Sequence, residues 1–123
     1  YFAPGAMVKP FDTAVQARAD RPYQEFFRAD SMSMGLYNLP AGGVDPQQPH
    51  TEDEVYYVVE GRARFQMGDA EHPVETGSIL YVPAGVDHRF TCIREPLTLL
   101  VVFSPAESWS AECAEKLATA SCT

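Results

Sequence analysis

Two histidines and a glutamate, His50, Glu54 and His88, are the residues of this chain whose types and settings could do chemistry together. Neutral imidazoles and a carboxylate are donors for a divalent cation, and three of them leave coordination positions open to a small molecule. His50 and Glu54 stand in Pro49-His50-Thr51-Glu52-Asp53-Glu54-Val55-Tyr56, and His88 closes Pro83-Ala84-Gly85-Val86-Asp87-His88. In an extended segment, residues an even number apart share a face, so Gln48, His50 and Glu54 can all point inward. His88 must then enter from a neighbouring strand.

The intervals around these residues resemble the two signature motifs of the cupin family. The first motif maps onto Gly42, Gln48, His50, Glu54 and Gly61, with Gln48 where the family has its first His. The second maps onto Gly77, Pro83, Gly85, His88 and Cys92, with Cys92 in place of the usual Asn. The resemblance implies an all-β, jelly-roll barrel or sandwich and four ligand positions, Gln48, His50, Glu54 and His88. An amide oxygen is a weaker donor than an imidazole, so Gln48 is expected to tune the site rather than anchor it. The oxygen-rich set favours Fe, Mn, Ni or Zn as the divalent ion without choosing among them.

The elements that must position these donors are short strands. Tyr23–Arg28 has strand composition, and Ser31–Leu39 alternates, with Met32, Met34 and Leu36 on one side for the core. Residues 40–49, with two glycines and three prolines, form the loop that delivers the chain to His50. Strands are expected over 55–59, 63–67, 78–82, 88–92 and 97–103, with turns at Gly61-Arg62, Gly68-Asp69 and Ala84-Gly85-Val86. Many short strands punctuated by Gly and Pro argue for a sandwich or barrel.

Outside residues 23–104, an N-terminal arm over 1–22 has room for a short helix from Asp12 to about Arg18. Residues 105–123 read as a C-terminal helix. Ser104 is placed to cap it, Pro105 to open it and Glu107 to complete a capping box, while Trp109, Cys113 and Leu117 form an apolar stripe that packs on the barrel.

With 123 residues the chain fits one domain. The formal charge of −8, without any Lys/Arg cluster, excludes nucleic acid and anionic membrane surfaces as expected partners. The apolar run 97–103 is only strand length, and the N-terminus shows no charged-then-apolar leader pattern. Three cysteines without CxxC spacing indicate neither a disulfide framework nor a zinc ribbon, so a cytoplasmic location is expected.

Alternation from Glu54 turns Tyr56 inward, and parity from His88 does the same for Phe90 and Cys92. With Met32, Met34 and Leu36 these form the expected lining of a substrate pocket. Cys92 reads as a small core hydrophobe, and His72, in a polar turn, as a solvent-exposed residue. The leading expectation is a small metal-binding cupin, with metal-dependent dioxygenase chemistry on a small organic substrate as its most concrete mechanism and Glu54 able to relax from ligand to base. A non-catalytic binding module and a metal-dependent isomerase or lyase on a sugar or hydroxy acid fit the same residues. A homodimer is expected through the N-terminal arm and the 23–28 edge.

Overall fold

Alternation along residues 53–58, resumed in the opposite parity along 61–67, dictates a strand with one wet and one dry face, and the structure places Glu54, Tyr56, Val58, Ala63 and Phe65 on the buried side. The structure, a computed structural model, describes residues 23–46 and 49–108. Its elements are β1 (Tyr23–Ala29), β2 (Met32–Leu39), β3 (Asp53–Met67), β4 (Ala70–Glu75), β5 (Ile79–Val82) and β6 (His88–Ser104). All pairings are antiparallel, in the order β1-β2-β6-β3-β4, with β5 also pairing β3. The fold is all-β, with no helix among the described residues.

The two longest strands, β3 and β6, form the spine. Each replaces two expected strands by one. The expected turn at Gly61-Arg62 is instead an irregularity inside β3, where the register against β6 shifts between Val58 and Glu60 and again up to Arg64. Gly61 has φ +111°, and a Cβ there would lie 2.4 Å from the Pro96 carbonyl oxygen. Glycine marks a strand bend here rather than a reversal. Shifts of this kind let a sheet curl over its own core. The Gly68-Asp69 and Ala84-Gly85 turns lie where expected, and β4, a polar strand along the edge, was not anticipated.

The core joins Tyr37 and Leu39 of β2 to Tyr56, Val58 and Phe65 of β3 and to Phe90, Leu97, Leu99, Val101 and Phe103 of β6. The face assigned to β2 is corrected. Ser33, Gly35, Tyr37 and Leu39 pair with Phe103, Val101, Leu99 and Leu97, so the odd-numbered residues face inward. Met32, Met34 and Leu36 lie on the opposite face, Met32 exposed and Leu36 buried but outside the core cluster. The small residues face in because the Tyr23 ring fills the space over Gly35, whose Cβ would fall 2.4 Å from the phenol.

Residues 105–108 are not helical. Ser104 ends β6 and its hydroxyl donates to the Ser31 carbonyl at 3.1 Å, so it caps no helix there. The remainder of the expected C-terminal helix, the Asp12–Arg18 helix and the N-terminal arm lie outside the described residues.

Candidate metal centre

Glu54 sits on β3 directly across from Phe103 of β6 and Val82 of β5, which sets its carboxylate on the inner face. His88 opens β6, and its approach is set by the turn before it. There Gly85 N–H donates to the His50 carbonyl at 2.7 Å and Ala84 N–H to the Asp53 carboxylate at 2.9 Å. Two segments far apart in sequence are thus tied together by one backbone bond and one to a side chain. The His50, Glu54 and His88 donor atoms all lie within 4.8 Å of one another, a spacing that can hold one metal ion.

The hydrogen bonds define which ring nitrogen of His88 carries the proton. His88 Nδ1 is 2.8 Å from the Val86 carbonyl, an acceptor, so this nitrogen carries the proton and Nε2 of the neutral ring is bare. Nε2 faces Glu54 Oε1 at 2.9 Å, with the Tyr56 hydroxyl 3.1 Å away. With the His88 ring neutral, neither carboxylate oxygen of Glu54 receives a hydrogen bond, although both are buried. A buried carboxylate without donors is costly, and a lone pair facing it at contact distance calls for a cation. That cation is a proton or a metal ion.

The electrostatics agree with the donor roles. Burial lowers the pKa of His50, keeping it neutral, while its ring packs on Phe103 with centroids 4.8 Å apart. Burial also pulls His88 down, but the adjacent Glu54 carboxylate outweighs it and the net shift is upward. His88 is therefore the group that takes up a proton when no metal balances Glu54.

Gln48 lies outside the described residues. Tyr56 and Phe90 are buried beside His88, their rings 5.0 Å apart and edge-on. Cys92 is displaced from the expected wall. It is buried with φ +48° in the irregular stretch of β6, where Thr91 pairs Arg64 but Glu95 pairs Arg62, so inward parity breaks and Ile93 enters the core instead. Cys92 lines a separate cavity of about 380 Å³ with Arg62, Arg64 and Arg94. Met32, Met34 and Leu36, on the outer face of β2, do not line the interior. His72 is exposed.

Two carboxylates near the site were not read from the sequence as site residues. Asp45 is buried and accepts from the Tyr37 hydroxyl at 2.5 Å and from Phe90 N–H at 2.9 Å, which pins the 40–46 loop to the barrel. Glu107 stands 3.3 Å from His50 Nδ1. Its backbone N–H donates to Ser33 and its carbonyl accepts from Arg28, while Ser108 N–H donates to Glu52. These bonds strap residues 105–108 across the strands beside the site. Burial, then the carboxylates of Glu54, Glu52 and Glu25, push Glu107 up to about 7. A Glu three residues after Ser104 carries the local signature of a capping box, so nothing in the sequence nearby pointed to His50.

A rolled antiparallel sheet with two imidazoles and a buried carboxylate converging on its inner face defines a β-barrel with a candidate metal centre. Residues 35–103 match the cupin domain family, and the chain belongs to it. An uncharacterized protein of Streptomyces coelicolor is 53% identical over 77% of this chain and 90% of its own length. The acireductone dioxygenase of Citrobacter koseri is 32% identical over 80% of this chain, which spans only 50% of that protein. Among solved structures, TT1209 of Thermus thermophilus superposes with a TM-score of 0.65 at 27% identity, covering 80% of this chain and 97% of that one. No helix among the described residues is long and apolar enough to cross a membrane.

Proposed function

We propose that His50, Glu54 and His88 hold a divalent ion of the Fe, Mn, Ni or Zn class, and that the chain is a dioxygenase acting on a small organic molecule that binds through oxygen. The observation that carries the reading is the buried Glu54 carboxylate, which lies 2.9 Å from His88 Nε2 and has no hydrogen-bond donor while His88 is neutral. The likeness to acireductone dioxygenase over four-fifths of the chain supports the reaction class. A bound dication would supply Lewis acidity and, if it is iron, a route to dioxygen.

The chain's own residues do the rest. The Val86 carbonyl fixes the His88 tautomer, Phe103 holds the His50 ring, and the Tyr56 hydroxyl reaches the centre from the core side. Phe65, Phe90 and Phe103 keep the surroundings dry, which strengthens every electrostatic contact there. A second reading, a closed metal site without turnover, is favoured by Glu107, whose carboxylate beside His50 could complete a set of four donors.

Elemental analysis of unheated, tag-free protein should give about one equivalent of metal, lost nearly completely in His50→Ala and in His88→Ala. Unchanged metal in both variants would refute the site. Oxygen consumption by the iron-loaded protein with an acireductone then separates the two readings, turnover supporting the first and inert, fully loaded protein the second.

A further inference from the structure

The hydroxyl of the half-buried Tyr23 is a group that the proposed function leaves unused. Its oxygen is shielded from solvent and has no hydrogen-bond partner, an arrangement that costs free energy unless something else occupies the site. The ring lies on the inner face of β2, edge-on to Tyr37 and to Phe103, the same Phe103 that packs on His50. Register fixes its depth. Ser33, Phe103 and Glu54 form one inward row across β2, β6 and β3, and Gly35, Val101 and Tyr56 form the next. The Tyr23 phenol lies directly over Gly35, one row from Glu54.

We propose that the Tyr23 hydroxyl orients the ligand of the His50–Glu54–His88 centre by donating a hydrogen bond to a carbonyl, carboxylate or enolate oxygen of that ligand. The inference rests on the metal-centre reading and adds to it the ligand's acceptor chemistry. Burial, followed by the carboxylates of Glu107, Glu25 and Glu54, raises the phenol's pKa, so the group is a donor and not an anion. Gly35 is the device that admits it, since any side chain there would occupy the position of the phenol. Tyr23 is a positioning residue, and the hydrogen bond it lacks in the free protein is the one the ligand completes.

The test uses Co(II) loaded into metal-free protein and acetohydroxamate as the oxygen-donor probe, followed by visible absorption. Tyr23→Phe should load Co(II) like the parent but bind the probe about tenfold more weakly, the loss for one hydrogen bond to a charged oxygen. Its melting temperature should not fall, because ring packing is kept and a buried unpaired hydroxyl is removed. Gly35→Ala, which displaces the ring, should weaken the probe similarly. Equal probe affinity in Tyr23→Phe at full loading overturns the assignment, and a lower melting temperature with unchanged affinity would make Tyr23 structural only. If His50→Ala loads Co(II) like the parent, the metal centre itself fails and the Tyr23 assignment falls with it.

Discussion

Glu107→Gln should stabilise the metal-free protein, and the gain should grow with pH. In the folded chain the carboxyl is pushed up from 4.5 to about 7, first by burial and then by the carboxylates of Glu54, Glu52 and Glu25. Between these values the folded state binds more protons than the unfolded one, so the contribution of Glu107 to stability falls as pH rises. At roughly 1.4 kcal/mol per tenfold change in proton affinity, the full effect is about 3 kcal/mol. Most of it should appear between pH 5 and pH 8. Glutamine keeps the shape and has no charge to bury. Urea unfolding of parent and variant across that range measures the difference directly. Loading a divalent ion should flatten the parent's curve, because positive charge beside His50 favours the ionised carboxylate. A parent–variant difference that is constant with pH, or that shrinks as pH rises, would refute the placement of Glu107 among the buried carboxylates.

Three further outcomes follow from the geometry. Gly61→Ala should cost about 2 kcal/mol or more in chemical denaturation, since its Cβ would lie 2.4 Å from the Pro96 carbonyl oxygen at a φ of +111°; a neutral substitution would contradict the continuous β3. Asp45→Ala should destabilise by about 3 kcal/mol, because it leaves the Tyr37 hydroxyl and Phe90 N–H buried without acceptors. Thermal melts read this, and a change below the measurement error would remove Asp45 as the anchor of the loop. Gln48→His should tighten metal binding in competition with a chelator, and Gln48→Ala should weaken it less than His50→Ala. Parent-like affinity in both Gln48 variants would show that residue 48 is not a ligand.

Much of the fold was legible because the signals that encode it are local. Alternation along residues 53–58 and again along 61–67 fixes which side of β3 is dry, and Gly and Pro mark the turns at 68–69 and 84–85. The intervals linking His50, Glu54 and His88 pointed to an inward donor set, and the structure brings those atoms within 4.8 Å of one another. Local signals failed where the sequence was ambiguous. Ser31–Leu39 alternates, yet Tyr37 and Leu39 make the odd face as apolar as the even one, and only pairing with β6 chose between them. Gly61 reads equally as a turn or a bend, and the Pro96 carbonyl packed against it decided for the bend.

The sequence by itself determined the strand-rich architecture and the donor chemistry of the inner face, because periodicity and residue type act within a few residues of themselves. Only the tertiary structure decided what surrounds those donors. Glu107 meets His50 across 57 positions of sequence, Asp45 pins Phe90 across 45, and Tyr23 settles over Gly35 beside the strands that carry Glu54 and Phe103. No periodicity records such contacts. They arise when antiparallel register brings distant segments into one row, and the low dielectric of the closed core then makes each buried polar group depend on the partner it finds there.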